Sequence, residues 1–286
     1  AGFGSTMLTI VSESVETDER GQSVGFYNST LAFGSILGKA GGGYLLAQIA
    51  PSAMYLLLAS ISAVSAFGVL LLVDPTPTPD VTPTRGQIAA ETKRRLLPAV
   101  DDRDHLTTNG LHWLYIAIVL RNVTNKGLGS LYPIFLIAAV GVNEFTMGLL
   151  LALSSTLRTG LMYLFGRAAD AVGRKPLVVV GVLGAGIQAL LMAAAVVPGQ
   201  LSVRIAVAAS GFVVHAVTFS ALATGSIAFI GDVAPPDRES ELMGLRTTSR
   251  GVGGVTGPIL VGALATVTSY QTAFLAASVI PFLAAL

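Results

Sequence analysis

Uninterrupted apolar runs of membrane-spanning length recur along the chain, and nothing else in the sequence restricts its fold as much. Crossing roughly 30 Å of hydrocarbon takes about 20 apolar residues at a rise of about 1.5 Å each. Runs of that order lie near 23–48, 52–73, 111–140, 143–165, 175–197, 202–230 and 243–267, with two incomplete ones at 1–12 and 270–286. Buried strands of a soluble α/β protein would be about 4–8 residues long, and these runs are far longer and rich in Ala, Leu and Gly. A membrane barrel would instead show segments of about ten residues alternating in hydrophobicity. Composition closes the remaining alternatives. Of the 286 residues, 52% are apolar and only 12% charged, against about 25% charged in soluble domains. A net charge of +1 leaves no broad basic face for nucleic acid, and without cysteine there is no disulfide framework. The expectation is an all-α, polytopic transmembrane protein in contact with the lipid bilayer.

One break between the runs is long. From Asp74 to Gly110, five prolines (Pro75, Pro77, Pro79, Pro83 and Pro98) mix with eleven charged residues, and there is no Phe, Trp or Tyr from which to build a core. The segment reads as a polar linker dividing two groups of helices, with a short surface helix near 87–97. Basic residues stay on the cytoplasmic side, and they fall in alternate breaks: Arg20; Arg85, Lys93, Arg94, Arg95 and Arg103; Arg167, Arg174 and Lys175; Arg238 and Arg246. The breaks near Pro51, Val142 and Ser269 hold none, and Arg204 at a helix end is the exception. Linker 74–110 and loop 166–175 are therefore expected in the cytoplasm, and the protein in the cell membrane.

An ungapped shift of 219 residues superimposes Asp18 on Asp237, Gly25 on Gly244, Gly34 on Gly253, Gly38 on Gly257, Gly43 on Gly262, Leu45 on Leu264 and Leu56 on Leu275. Parallel repeats on either side of a central loop are a transporter plan, with the substrate site where the halves meet. Six spans follow the linker and two and a fraction precede it. Equal halves, an Ala at position 1 and a Leu286 inside an apolar run lead us to expect a fragment, cut at both ends and lacking about three and a half N-terminal helices.

At the break before residue 176 stands Gly166-Arg167-Ala168-Ala169-Asp170-Ala171-Val172-Gly173-Arg174-Lys175. Gly166 and Gly173 would permit tight turns, Arg174 and Lys175 would hold the cytoplasmic face, and Asp170 could accept from helix N-terminal amides. The stretch resembles the cytoplasmic-loop signature of the major facilitator superfamily, G-x-x-x-D-x-x-G-R-[RK]. That resemblance implies a two-bundle protein in which this chain supplies helices four (part) to twelve. Residues 1–73 would be the remainder of the N-terminal bundle, 74–110 the cytoplasmic linker and 111–286 the C-terminal six-helix bundle, its last helix truncated. It also implies that Asp170 lies against the start of 23–48 and that Arg174 pairs with Asp232, a latch favouring the state closed to the cytoplasm.

Within 23–48, Gly34-Ser35-Ile36-Leu37-Gly38-Lys39-Ala40-Gly41-Gly42-Gly43 is similar to the motif of drug/proton antiporters, G-x-x-x-G-P-x-x-G-G, with Lys39 in place of the proline. Gly34, Gly38, Gly42 and Gly43 equally suit a small-residue packing face. Ionisable residues inside spans are functional candidates because each costs about 2.5–3.5 kcal/mol at mid-depth. Five qualify, Lys39, Arg121, Lys126, Arg158 and Arg250, and all are basic. Arg121, Asn125 and Tyr132 share one side of their helix, which Gly127, Gly129 and Pro133 could break locally; Asn28, Ser35 and Lys39 form a stripe on theirs. For Arg158, Arg250 and Lys126, snorkelling to headgroups is an equal reading. His215 is either a proton carrier or a buried, hydrogen-bonded histidine.

These features point to a secondary transporter of a small organic solute working by alternating access, first as proton-coupled efflux. The alternative is an organic anion or phosphate-ester exchanger, or an importer, suggested by five internal cations without an acid among them. A membrane enzyme would need a reactive cluster such as H-E-x-x-H, and His105, His112 and His215 are scattered. A sensor would need a soluble output domain. No cofactor or metal is expected, and the full-length protein should be monomeric.

Overall fold

The structure, a computed structural model, describes residues 20–72, 84, 86, 110–235 and 238–285. Run 1–12, the 87–97 surface helix and most of linker 74–110 lie outside them. Two helices precede the linker, α1 (Arg20–Gln48) and α2 (Pro51–Leu72). After it come α3 (Leu111–Phe135), continued by a π-helical turn at Leu136–Val140, then α4 (Glu144–Val172), α5 (Arg174–Ala194), α6 (Leu201–Val233), α7 (Glu239–Val267) and α8 (Tyr270–Ala284). Six helical stretches are long and apolar enough to cross a membrane: 51–71, 111–140, 144–169, 174–194, 201–233 and 241–267. Helix α1, expected as a further span, has the length but is diluted by Gly, Ser, Asn and Lys39, and is not one of the six. Large apolar side chains such as Leu149, Val180, Ile227 and Leu260 face outward, the surface that lipid and not water requires. The all-helical, multi-pass architecture expected from the apolar runs is the one observed.

At the ends of three helices the boundaries reach beyond the apolar runs. Helix α4 continues to Val172 instead of stopping at 165, α6 to Val233 instead of 230, and α7 begins at Glu239 instead of 243. Hydrophobicity ends where lipid ends, but a helix ends only where its backbone is capped. Asn143 caps α4 by accepting from the Thr146 amide at 2.9 Å, and Ser269 caps α8 by accepting from Thr272 at 3.1 Å. Both caps lie in breaks devoid of basic residues.

Among the described residues, 20–28 with 49–72, 84 and 86 form one compact unit, and 29–48 with 110–235 and 238–285 a second. In the second, glycines set the helix approaches. A Cβ at Gly253 would meet Asn122 and the backbone at Val123, and one at Gly257 would meet the Val123 carbonyl and Gly127. Helices α3 and α7 thus touch backbone to backbone. Gly181 and Gly184 of α5 receive Leu222 and Thr218 of α6, and Gly225 of α6 receives Leu177. In hydrocarbon, where apolar surface gains nothing from leaving lipid, close packing of this kind holds helices together. The α3 glycines do not break their helix as the sequence suggested: Gly127 is a packing site, and Gly129 has nothing within 4 Å. The irregularity comes at Leu136–Val140, three residues beyond Pro133, where the Gly141 amide reaches back five residues to Leu136 O at 3.0 Å. Gly141 takes a φ of 89° to end the turn. Around it Tyr132, Phe135, Phe212 and Phe274 pack edge to face or tilted, in a core closed by Met192.

Gly257→Val is expected to destabilise the second unit by about 1–3 kcal/mol through overpacking, whereas Gly262→Val on the same helix, with open space around it, should leave thermal unfolding in detergent unchanged. Equal melting shifts for the two would disprove the close-approach account.

Candidate functional site

Helix periodicity puts Arg121, Asn125 and Tyr132 on one face of α3, at steps of four and seven. With α7 drawn in by its glycines, that face turns toward an open cavity of about 530 Å³ within the second unit. Lys39 from α1, Arg121, Asn125, Lys126 and Tyr132 from α3, Ser154 and Arg158 from α4, His215 and Phe219 from α6, and Arg250 from α7 line it. All five intramembrane cations named from sequence meet at this one cavity, and among the described residues none that lines it is acidic.

Phe219 organises the arginines. The Cζ of Arg158 lies 3.5 Å from its ring centroid and that of Arg121 5.5 Å away, in range for cation–π attraction, which strengthens when desolvated. Arg158 therefore turns inward to an aromatic face and not along the helix to a headgroup. Arg121 is 3% exposed. Lys39 donates to Ser155 Oγ on α4, tying α1 to α4, and a few residues on, Gly43 and Gly148 let the same two helices touch: a Cβ on Gly43 would lie 2.7 Å from Gly148 Cα. Of the expected α1 stripe, Ser35 and Lys39 lie in this unit, while the side chain of Asn28 lies outside the described residues.

A second set of contacts was not foreseen. Gln188 of α5, 1% exposed, donates from Nε2 to the Tyr132 hydroxyl, and its Oε1 lies 3.0 Å from His215 Nδ1. An amide oxygen only accepts, so Nδ1 carries the hydrogen and a neutral His215 presents Nε2 as an acceptor. The Tyr132 hydroxyl, accepting from Gln188, keeps its own proton to donate. Gln188 was visible as a lone amide inside the apolar run 175–197, and Phe219 as the residue one helical turn beyond His215. Neither is ionisable, so the cost of burying charge points to neither.

At the other end, Arg174 Nε lies 2.7 Å from Asp232 Oδ2, and its Nη1 donates to the Ala169 carbonyl at 2.9 Å. Gly173 alone separates α4 from α5, with φ 86° and ψ 170°, a conformation that is essentially glycine-only. Gly166, expected at a turn, instead lies inside α4 because that helix runs on to Val172. Arg167 and Lys175 are exposed, and Asp170 sits in the last turn of α4 with its side chain outside the described residues. In the glycine motif of α1, a Cβ at Gly34 or Gly38 would meet nothing within 4 Å among the described residues, whereas Gly253 and Gly257, their counterparts at the shift of 219, receive α3. Gly42 follows on the same helix beside Gly43.

Against known proteins, the family model described as Major Facilitator Superfamily matches residues 1–120 and 114–286. A tetracycline resistance protein, class H, from Pasteurella multocida is 29% identical over 173 residues, covering 57% of this chain and 40% of that protein. A tetracycline resistance protein, class E, from Escherichia coli is 30% identical over 177 residues, covering 59% and 41%. The chain thus spans about two fifths of the length of these relatives. A crystal structure of a mutant of the peptide transporter POT in complex with sulfate aligns with a TM-score of 0.47 at 20% identity, over 62% of this chain and 36% of that one.

Gln188→Leu leaves both His215 Nδ1 and the Tyr132 hydroxyl without their partner and should cost about 1–3 kcal/mol, read as a lowered melting temperature in detergent; an unshifted melt would argue that water replaces the amide. A double-mutant cycle of Arg174→Ala and Asp232→Ala should give a coupling of only about 0.2–1 kcal/mol, because the two side chains remain 28% and 51% exposed.

Proposed function

The chain belongs to the major facilitator superfamily, and on that premise we propose that it acts as a secondary transporter, carrying a small organic solute across the cell membrane by alternating access. One observation supports this reading above the rest. Polar and charged side chains from five helices converge on a single open cavity in a chain whose outward surface is apolar. Charges at such depth are tolerated where they face water or a ligand, and midplane cavities of this kind are where such carriers hold their solute. Arg121, Asn125, Tyr132, Lys39, Arg158, His215 and Arg250 are the residues we assign to the solute and proton pathway.

Proton-coupled efflux is the preferred direction. The glycine run of α1 has the spacing of the antiporter motif, and the relatives named above are resistance proteins. His215 supplies a titratable group at the cavity, and Gln188 holds its ring so that Nε2 is the atom left to take a proton. The Arg174–Asp232 pair ties the start of α5 to the end of α6, and we assign it to the latch on the cytoplasmic side. Linker 74–110 and loop 166–175 belong on that same side by the distribution of Lys and Arg.

The sequence contains no cysteine, so single cysteines report access cleanly. Arg167→Cys should react with an impermeant maleimide only from the cytoplasmic face and Ser269→Cys only from the opposite face. Ser130→Cys, at the cavity, should react from both, since each state of an alternating carrier opens it to one side. Labelling of Ser130→Cys from a single side under all conditions is incompatible with alternating access. Everted vesicles carrying the protein should accumulate tetracycline when their interior is acidified, and lose it when the gradient is collapsed; accumulation indifferent to the gradient would rule out proton coupling.

A further inference from the structure

Helix α5 carries one side-chain amide, Gln188, and it is 1% exposed. It stands behind the cavity wall, between two residues that line the cavity, Tyr132 and His215. An amide inside a span is costly unless both its ends are bonded, and here both are: Nε2 donates to the Tyr132 hydroxyl, and Oε1 lies 3.0 Å from His215 Nδ1. The neighbouring helix contacts hold this one in place. A Cβ at Gly181 would meet Leu222, one at Gly184 would meet Thr218, and one at Gly211 would meet the end of Met192. Helices α5 and α6 therefore run past each other like a ladder, 181 to 222, 184 to 218 and 192 to 211, and Gln188 with His215 is the rung between the last two. Tyr132 is fixed from elsewhere, its ring edge to face with Phe212 at 5.2 Å and Phe274 at 6.4 Å between centroids. Because the two ends of an amide are opposite in kind, Gln188 gives its neighbours opposite roles. Its nitrogen only donates, so the Tyr132 oxygen accepts and keeps its own hydrogen to give; its oxygen only accepts, so His215 bears hydrogen on Nδ1 and keeps a lone pair on Nε2. Among the described residues nothing accepts that phenolic hydrogen and nothing donates to that nitrogen.

We propose that Gln188 is a positioning residue that sets the polarity of the cavity wall, and that the solute docks there through a neutral hydroxyl or N–H beside a carbonyl oxygen. The solute's hydrogen goes to His215 Nε2, and its carbonyl accepts from Tyr132. A site built to hydrogen-bond such a group rejects analogues lacking it. Resting on the transporter reading, this inference names the group that the same cavity recognises, and it is tested without transport. Polarity is read first, with no solute present. In nitrogen NMR of isotope-labelled protein in detergent, at a pH above the ordinary histidine range, the His215 ring, assigned by its loss in His215→Gln, should bear its hydrogen on Nδ1. Gln188→Leu should shift that hydrogen toward Nε2, and Gln188→Glu, whose carboxylate also accepts, should restore it to Nδ1. A residue that only filled space would leave the tautomer unmoved by either change.

Recognition is read with tetracycline, which carries hydroxyl groups beside carbonyls, titrated by its fluorescence. Tyr132→Phe should weaken its binding about threefold to tenfold, the worth of one neutral hydrogen bond. Gln188→Glu should weaken it by a similar factor in spite of the restored tautomer, because a carboxylate draws the phenolic hydrogen inward. Adding Tyr132→Phe to Gln188→Glu should then cost nothing more, since a hydrogen turned away and a hydrogen removed are the same loss. The proposal is overturned by hydrogen on Nε2 in the unaltered protein, by a tautomer indifferent to Gln188→Leu, by tetracycline that does not bind, by full affinity in Tyr132→Phe or Gln188→Glu, or by additive losses in the double variant. Should Gln188→Leu not fold, the tautomer of the unaltered protein and the Tyr132→Phe titration decide. Failure here with two-sided labelling of Ser130→Cys intact would leave a carrier that holds its solute by other residues, whereas the expected tautomer and affinities with one-sided labelling would remove the carrier and keep the site.

Discussion

The backbone contact of α3 with α7 is the interaction on which the cavity depends. Inside a bilayer the peptide groups must satisfy one another, so the spans are helices, and helices in hydrocarbon associate only as well as their surfaces fit. Gly253 and Gly257 remove the side chains that would hold the two axes apart, and Gly127 answers from α3. Because α3 is pinned along that seam, its other face, with Arg121, Asn125 and Tyr132, is fixed in azimuth toward the cavity. Thr124 adds a tie in the opposite direction, donating to the Ala277 carbonyl of α8 at 2.8 Å. Between glycine seam and hydroxyl bond, α3 has little freedom to rotate.

Electrostatics follows from that placement. Five cations around one space repel each other, and no acid among the described residues lines that space. Phe219 takes the faces of two guanidiniums, Ser155 accepts from Lys39, and Arg246, on the same helix as Arg250, donates to Ser226 Oγ at 2.8 Å. Among the described residues that line the cavity, buried polar atoms without a hydrogen-bond partner remain on Arg121, Asn125 and Arg158. Beside them Gln188 joins Tyr132 to His215, and the amide at the centre sets the direction of the chain. One cavity thus holds buried cations next to a hydrogen-bonded chain that ends in a titratable ring.

Much of this was legible in the sequence for a simple reason: membrane insertion makes hydrophobicity and charge unusually informative. Run length gave the helices, and the cost of burying charge singled out Lys39, Arg121, Lys126, Arg158 and Arg250. Arg174 and Asp232 were paired through resemblance and lie in contact. Gln188 and Phe219 escaped because a neutral amide and a ring raise no alarm on a charge scale, though one joins two site residues and the other two arginines. Gly166 and Gly127 were assigned to turns and breaks because glycine permits both bending and close approach, and a single sequence does not say which is in use. The ends of α4, α6 and α7 lie beyond the apolar runs because a helix can continue past the depth at which hydrophobicity ends.

The sequence by itself determined that the chain is helical and membrane-spanning and that its intramembrane charges share one sign. Those are consequences of composition along a line, where length and solvation energy decide the outcome. Which faces meet was decided only by the tertiary structure. Whether five scattered cations snorkel separately or gather, and whether a glycine bends a helix or seats its neighbour, depend on the rotation of each helix about its axis. That rotation is set by packing between residues far apart in the chain, and no local pattern encodes it.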